Sequence, residues 1–167
     1  METLFDAHGW KVTMEEASLP NGNKKKTARV QRADTVTMIT ESKPGTILLL
    51  REFRPYYSQY IWMLPSGRID KESDMTLAAQ RELQEETGYC AATLTYLWSA
   101  NVSESLLLTN HFFYASELTP DPLPQDDDEL MEVHETEMQE ALRLIESSAK
   151  VHLPSAYALR RYLQEHN

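Results

Sequence analysis

The alternation of apolar and polar residues predicts a pair of strands near the start of the chain. Residues 9–18 and 27–32 both have a strand-like pattern, and the segment Leu19-Pro20-Asn21-Gly22-Asn23 lies between them. Asn-Gly is a strong signal for a tight turn, so we predict a β-hairpin. This hairpin belongs to an N-terminal strand extension that we place at residues 1–33.

Further strands are predicted along the rest of the chain. Residues 35–39 alternate in the way of a half-buried strand, whereas the continuous apolar run 47–50 predicts a strand buried on both faces. Residues 92–99 and 105–115 are strand-like, and residues 130–133 fit one more short strand. Because strands surround a few helical segments, the pattern indicates the α/β class with a mixed sheet.

The middle of the chain contains the clearest helix. Asp74 is a good N-cap, Leu77 and Ala78 offer an apolar edge, and Gly88 stands where a left-handed residue would end a helix. These signals predict a helix over residues 75–87. Just before it, Pro65-Ser66-Gly67 is predicted to be a turn that brings backbone close to a ligand.

Two more helices are predicted near the end of the chain. Thr136 and Gln139 fit a capping box, and Ser155 is a candidate cap for the last helix. Residues 117–129, with three prolines and a run of acids, are predicted to be an exposed loop. We find no linker or repeat, so we predict one domain, residues 1–167. In the first of the two C-terminal helices, the apolar residues fall at helical spacing and predict a stripe that faces the core: Met138, Ala141, Leu142 and Ile145.

The predicted central helix carries an unusual set of acids. Glu82, Glu85 and Glu86 fall at i, i+3 and i+4, so their carboxylates share one face and repel one another. Of their neighbours, Arg81 is the one that offsets this charge. Water or a hard divalent cation relieves such repulsion, and carboxylate oxygens together with a phosphate suit Mg²⁺ or Mn²⁺.

Composition and charge narrow the function classes. The chain has 167 residues, 41% of them hydrophobic and 25% charged, which is typical of a globular protein. A net charge of −10 argues against nucleic-acid or membrane-surface binding. The single cysteine, Cys90, excludes an internal disulfide, and no signal peptide or membrane-spanning run is visible. We therefore expect a cytoplasmic protein.

The stretch 67–89 resembles the Nudix box of the Nudix hydrolases, GX5EX7REUXEEXGU, in which U is a bulky apolar residue. Two positions depart from the motif. Ser73 stands in place of the first Glu, with Glu72 one position earlier, and Tyr89 takes the last apolar position. The matching residues are Gly67, Arg81, Glu82, Leu83, Glu85, Glu86 and Gly88.

Flanking segments resemble one branch of this family, the ADP-ribose pyrophosphatases. ILLLREFRP and IWMLPSG precede the box, and EALRLIESSAKVHLPSAYALRRYL ends the chain, as in that branch. The resemblance implies a Nudix fold, with a mixed β-sheet sandwiched between helices. It also implies Mg²⁺-dependent hydrolysis of a nucleoside diphosphate sugar, with ADP-ribose giving AMP and ribose 5-phosphate, and a homodimer.

The resemblance also assigns roles to individual residues. Glu82, Glu85 and Glu86 would hold the metal ions, with help from the backbone carbonyl of Ser66. Glu86 is at the same time one of the catalytic residues, and Arg81 would orient the carboxylates.

A Glu on a loop beyond the box often activates the water in this branch. Glu129 is our candidate for this base, and Asp126, Asp127 and Asp128 remain near-equal rivals.

Substrate-binding residues are predicted outside the box. Arg51 and Arg54 follow the buried strand, where their guanidinium groups can bind phosphate in a bidentate way or instead form surface ion pairs. Trp10 offers a flat face on which a base can stack, and a partner subunit would complete this base site.

Two alternatives remain open from the sequence. The substrate can be GDP-mannose or another nucleoside diphosphate derivative, with an oxidised nucleoside triphosphate fitting less well. The protein can also be a Nudix-fold module that binds a nucleotide without turnover, an idea that Ser73 keeps open, although Glu72 or Asp74 can substitute for the missing Glu.

Overall fold

The computed structural model describes residues 1–72, 74–125 and 129–166, which form eleven β-strands and three α-helices. The strands are β1 (Glu2–Ala7), β2 (Trp10–Ser18), β3 (Lys24–Gln31), β4 (Thr35–Lys43), β5 (Thr46–Arg54), β6 (Gln59–Met63), β7 (Ser66–Arg68), β8 (Tyr89–Asn101), β9 (Leu106–Leu107), β10 (Thr109–Pro120) and β11 (Met131–Glu137). The helices are α1 (Met75–Thr87), α2 (Met138–Ser147) and α3 (Leu153–Glu165), with a short 3-10 turn at Pro55–Tyr57.

The N-terminal strands form a sheet of their own, in the order β1-β2-β3-β9. β2 and β3 are the predicted hairpin, and their turn is closed by the Gly22 amide, which donates to the Leu19 carbonyl at 2.9 Å. The hairpin prediction is therefore confirmed. β1 was not predicted, and it pairs with β2 through a tight turn at His8 and Gly9, both with positive φ.

The second sheet has seven strands and lies between helices. Its main order is β11-β5-β4-β10-β8, with β6 paired to β5 and β7 paired to β4. The β4–β10 pair is parallel and its other pairs are antiparallel, so the sheet is mixed. One face packs against α2 and α3 through Ile39, Leu49, Ala141, Ile145 and Leu159. The other face packs against α1 through Val36, Met38, Ala79, Leu83 and Phe113. The predicted α/β architecture is thus confirmed.

The central strand β4 is more deeply buried than its sequence pattern indicates. Thr37 and its apolar neighbours Val36, Met38 and Ile39 are each no more than 1% exposed. The prediction of a half-buried strand is wrong, because helices cover both faces of the sheet. The run 47–50 was predicted to be buried on both faces, and none of its residues is more than 2% exposed.

Two predicted helix caps are wrong because tertiary contacts use the residues differently. Thr136 lies inside β11, where it pairs with Ile47 of β5, and α2 begins two residues later at Met138. Ser155 lies within α3, which begins at Leu153, and its hydroxyl accepts a hydrogen bond from the backbone amide of Leu64. The apolar stripe of α2 does face the core, as predicted.

Loop boundaries also differ from the predicted ones. Ser66–Arg68 is a short strand rather than a turn, because it pairs with β4. β10 continues to Pro120, opposite Tyr89, so the predicted loop at 117–129 begins later. No helix among the described residues is long and apolar enough to cross a membrane.

Candidate active site

Helix α1 positions the acidic residues, and local signals fix both of its ends. The Asp74 carboxylate accepts hydrogen bonds from the amides of Thr76 and Leu77, at 2.7 and 3.3 Å, and so caps the first turn. Gly88 ends the helix with φ +79°, and its amide donates to the Gln84 carbonyl. The helix thus has the predicted bounds. Of its expected apolar edge, Ala78 is buried, whereas Leu77 is 61% exposed.

Arg81 lies at the centre of the carboxylates on α1. Its guanidinium nitrogens lie 2.8 Å from Glu72, 2.8 Å from Glu82 and 2.5 Å from Glu85. A further contact joins this guanidinium to the carbonyl of Arg68 at 3.2 Å. Partial burial lowers the pKa of Arg81, but its hydrogen bonds to Glu72 and Glu85 and the charge of Glu82 raise that pKa above its ordinary value on balance. Arg81 therefore stays charged and holds these carboxylates in place.

Glu86 is the most deeply buried acid of the site, with 7% of its surface exposed. The backbone amide of Ser66 donates to its Oε2 at 2.7 Å. Burial raises the pKa of Glu86 well above its ordinary value, this hydrogen bond opposes the rise, and the charges of Glu82, Glu129 and Glu52 add to it. The charges of three other carboxylates therefore act on Glu86, of which Glu52 is also buried whereas Glu129 is exposed.

Glu82 joins this group from the previous turn of α1. Burial raises the pKa of its carboxyl, Arg81 lowers it, and the charges of Glu85 and Glu129 raise it again. Glu129, which follows α1 by more than forty residues in the sequence, therefore interacts electrostatically with both Glu82 and Glu86. The charge of our candidate base thus acts on the acidic face of the helix.

Gly67 makes room for Glu82. A Cβ atom built on Gly67 would lie 1.8 Å from the Cδ atom of Glu82 and 2.2 Å from each of its carboxylate oxygens. A side chain at this position would therefore displace that carboxylate. Gly67, the first glycine of the motif, thus allows strand β7 to approach α1. The sequence had instead predicted that this glycine lies in a turn that brings backbone close to a ligand.

The end of strand β5 contributes the predicted cation, Arg54, and an acid that was not predicted, Glu52. Arg54 lies 2.7 Å from the carboxylate of Glu52 and 3.2 Å from the sulfur of Met63. Glu52 is 5% exposed, and burial raises the pKa of its carboxyl against the opposing charge of Arg54. Glu52 shares the inward-facing register of Leu50, which was the available signal for its burial.

Comparisons with known proteins identify the family of this chain. A family model described as the NUDIX domain matches residues 30–157. The chain belongs to the Nudix family of hydrolases. The ADP-ribose pyrophosphatase of Bacillus subtilis is 31% identical to this Nudix protein over 169 residues, which cover 98% of this chain and 89% of the relative. The GDP-mannose pyrophosphatase of Yersinia enterocolitica is 29% identical over 146 residues, which cover 81% of this chain and 75% of the relative.

A solved structure supports the fold of this Nudix protein. The crystal structure of an ADP compounds hydrolase superposes with a TM-score of 0.83 and covers 99% of this chain and 92% of that one. Its sequence identity to this chain is 23%, so this likeness concerns the fold.

The departure of this Nudix box at its first Glu has a structural counterpart. Ser73 lies outside the described residues, but Glu72, one position earlier, accepts a hydrogen bond from the Nε of Arg81 at 2.8 Å. The acidic contact with Arg81 is therefore present without a Glu at position 73. The three rivals of Glu129, Asp126, Asp127 and Asp128, also lie outside the described residues.

Two predicted substrate-binding residues of this Nudix protein lie in other contacts. Arg51 stacks over the Tyr60 ring at 4.1 Å and forms an ion pair with Glu132 at 3.1 Å, which is the surface pairing that the sequence left open. Trp10 lies in the N-terminal sheet, 38% exposed, with the Arg32 guanidinium 4.4 Å from its ring centroid. Neither contact joins these residues to the acidic face of α1.

The side chains on the Nudix helix offer the oxygen donors that a hard divalent cation requires. Within residues 1–72, 74–125 and 129–166, no three His, Cys, Asp or Glu side chains are arranged at metal-binding spacing. Arg81 holds Glu82 and Glu85, and the Ser66 amide holds Glu86. The carboxylates nevertheless fit a cation chemically, because their mutual repulsion is what an added positive charge would relieve.

Proposed function

We propose that this Nudix protein hydrolyses the pyrophosphate bond of nucleoside diphosphate sugars and that ADP-ribose and water give AMP and ribose 5-phosphate. The observation that carries this proposal is the buried Glu86 carboxylate, whose pKa is raised further by the charges of Glu82, Glu129 and Glu52. A cation relieves such a cluster, and a diphosphate commonly binds protein together with a divalent cation. The likeness to the ADP-ribose pyrophosphatase, which extends over nearly the whole chain, supports the choice of substrate.

The proposed cofactor is Mg²⁺, with Mn²⁺ as a possible substitute. Glu82, Glu85 and Glu86 would hold it, together with the backbone carbonyl of Ser66, because all four supply hard oxygen donors. When bound, the ion would neutralise phosphate charge and acidify a water molecule. Glu82 and Glu85 would have to exchange part of their contact with Arg81 for this ion.

Arg54 is the proposed phosphate-binding residue. Glu52 and Met63 hold one side of its guanidinium, while 38% of its side chain remains exposed to solvent. A guanidinium can donate two parallel hydrogen bonds to phosphate oxygens, and a partner that holds it in place lowers the entropy lost on binding. Arg81 has a different proposed role, which is to orient the carboxylates of α1.

Glu129 is the proposed general base. A base must lie within reach of the attacking water and must accept its proton, and the electrostatic interaction of Glu129 with Glu82 and Glu86 supports this choice. The water oxygen would form a bond to one phosphorus while the bridging oxygen leaves with the other phosphoryl group. Asp126, Asp127 and Asp128 remain alternatives for this base.

GDP-mannose is the second candidate substrate. The GDP-mannose pyrophosphatase of Yersinia enterocolitica covers most of this chain at nearly the same identity as the first relative. Both substrates contain a nucleoside diphosphate joined to a sugar, so they require the same chemistry at the pyrophosphate. They differ in the base and in the sugar, and these two groups must therefore decide the preference.

A substrate panel tests the proposed function. ADP-ribose, GDP-mannose and an oxidised nucleoside triphosphate are incubated with the protein and Mg²⁺, with and without a chelator, and released monophosphate is measured. We expect AMP from ADP-ribose, and we expect the chelator to abolish its release. Glu140→Gln, which changes a surface carboxylate paired with Arg143 on α2, is the matched control for Glu86→Gln.

Binding without turnover is the outcome that would replace this proposal. Calorimetry with ADP-ribose in Mg²⁺ and in Mn²⁺ measures binding independently of hydrolysis. A micromolar complex that releases no AMP with either ion would identify a nucleotide-binding module rather than an enzyme.

We also propose that the protein is a cytoplasmic homodimer with one domain per chain, in which the N-terminal sheet meets the partner subunit. Support comes from apolar side chains on this sheet, since Leu4 is 52% exposed, Phe5 49% and Trp10 38%. In this arrangement Trp10 would stack on the base of the substrate. Light scattering gives the mass in solution, and a monomeric mass at micromolar concentration would refute the dimer.

A further inference from the structure

Two serine side chains accept hydrogen bonds from backbone amides in and just after strand β6. β6 pairs with β5. The backbone amides of Trp62 and of Leu64, just beyond the strand, donate instead to hydroxyl groups: Trp62 to Ser148 at 3.1 Å, and Leu64 to Ser155 at 2.8 Å. The ends of α2 and α3 thus satisfy amides that a neighbouring strand would otherwise bind.

Ser155 has a second partner, His152. Its Oγ lies 2.7 Å from the His152 Nδ1. The Ser155 hydroxyl can donate its own proton to Nδ1 while it accepts the Leu64 amide proton, provided that the neutral ring carries its proton on Nε2. Burial, together with the charge of Arg54, lowers the pKa of His152 to about 4, in agreement with a neutral ring. In this tautomer His152 would fix the direction of the Ser155 hydroxyl.

The segment that Ser155 holds leads directly into the candidate active site. Leu64 and Ser155 are both fully buried. The next residue, Pro65, accepts a hydrogen bond from the Met38 amide at 2.9 Å. The residue after that, Ser66, donates its amide to the Glu86 carboxylate at 2.7 Å. Three consecutive residues are thus anchored, and the Ser155 hydroxyl holds the first of them.

We propose that Ser155, oriented by His152, is a positioning residue that sets the Ser66 backbone against Glu86. The kinetic part of this inference rests on the proposed function, whereas its structural part does not. Loss of the hydroxyl would leave the buried Leu64 amide without an acceptor, and the segment would shift to find one. A shift of about 1 Å in an active site can lower the rate roughly 100-fold.

Ser148 provides a matched control for the kinetic test. Ser155→Ala and Ser148→Ala each remove one hydroxyl that accepts a hydrogen bond from a backbone amide of the same segment. The amide that Ser148 binds, that of Trp62, lies two positions further from Ser66 than the Leu64 amide that Ser155 binds. We expect kcat for ADP-ribose to fall at least tenfold in Ser155→Ala and less than twofold in Ser148→Ala. Thermal unfolding of both variants establishes that the compared samples are folded.

Variants of His152 separate positioning from packing. Asn places an amide oxygen near the position of Nδ1 and can accept the Ser155 proton, whereas Leu fills space without an acceptor. We expect His152→Asn to retain most of the parent kcat and His152→Leu to lose about as much as Ser155→Ala. Equal loss in both His152 variants would overturn the role of this hydrogen bond.

An amide chemical shift provides a readout that does not depend on activity. The chemical shift of the Ser66 amide proton depends on its hydrogen bond to Glu86. At fixed pH, we expect this chemical shift to change in Ser155→Ala and to stay the same in Ser148→Ala. An unchanged Ser66 shift in Ser155→Ala, or an equal kcat in the two serine variants, would overturn the inference. If the parent protein shows no turnover, the proposed function is refuted. The chemical shift of the Ser66 amide would then still test the positioning role of Ser155.

Discussion

Replacement of Gly67 by alanine offers the sharpest test of how the acidic site is built. The added Cβ would lie 1.8 Å from the Cδ atom of Glu82, where ordinary contact begins at 3.4 Å. The Glu82 carboxylate must therefore move by about 1.6 Å or more, the difference between these two distances. The atom displaced is the end of a flexible side chain, so we expect movement of Glu82 rather than unfolding.

The expected loss of activity is large and the expected loss of stability is small. A displacement of about 1 Å can lower a rate roughly 100-fold, which corresponds to about 2.7 kcal/mol in the activation free energy. Folding loses part of the contact between Glu82 and Arg81, which contributes about 1 kcal/mol for a partly exposed pair. Alanine in a strand is more stable than glycine by roughly 0.5–1 kcal/mol, which offsets most of this loss. We therefore expect Tm to change by less than about 4 °C.

Kinetics and a double-mutant cycle check this reasoning. kcat/KM for ADP-ribose is measured in Gly67→Ala and in the parent, and unfolding free energies are measured with and without Glu82→Ala. Once the Glu82 carboxylate is removed, alanine at position 67 has nothing to displace, so we expect it to stabilise the protein slightly. Gly67→Ala with kcat/KM within threefold of the parent would refute the steric argument.

Three further predictions concern the charged residues of the site. Glu86→Gln should lower turnover by orders of magnitude, and in metal-free protein it should raise Tm. Since the pKa of Glu86 is raised in the folded state, its contribution to stability is lost as pH rises through that pKa, so the gain in Tm should be larger at pH 8 than at about pH 5. Arg54→Lys should raise KM for ADP-ribose about tenfold and Arg51→Lys less than twofold, because lysine cannot form a bidentate contact. Glu129→Gln should slow hydrolysis while calorimetry shows nearly unchanged Mg²⁺ affinity.

Each of these predictions has a control and a contrary outcome. Glu140→Gln should leave turnover and Tm unchanged, and a gain in Tm for Glu86→Gln that is equal at both pH values would contradict the buried-charge argument. Equal increases in KM for the two arginine variants would remove Arg54 from the substrate site. A loss of turnover in Asp127→Asn as large as that in Glu129→Gln would reassign the base to Asp127.

Helix α1 could be predicted from the sequence because its determinants are local. Asp74 caps amides two and three residues away, and Gly88 terminates the helix with its own backbone conformation. The contact between Arg81 and Glu85, four residues apart, also follows from the helical repeat. For these residues, the side chains that interact lie within one or two helical turns of one another.

Other parts of the site could not be predicted because they depend on contacts between distant segments. The hydrogen bond from Leu64 to Ser155 joins residues 91 positions apart, and no local pattern indicates it. At Thr136 a local capping motif is present, but the ladder between β11 and β5 continues through Glu137 and starts the helix later. Pairing along the whole of β11 outweighs one cap, which contributes about 1 kcal/mol.

The arrangement of acids is difficult to explain by stability alone. Arg81 offsets the charges of Glu82 and Glu85, but the hydrogen bond that holds Glu86 comes from the neutral Ser66 amide. Folding must therefore either protonate Glu86 or bury its charge, and both cost free energy at neutral pH. Gly67 and Ser155 act on the same short segment, one through a missing side chain and the other through a hydroxyl group. Both keep the Ser66 backbone close to α1, which concentrates oxygen donors where a cation and a diphosphate would relieve the repulsion.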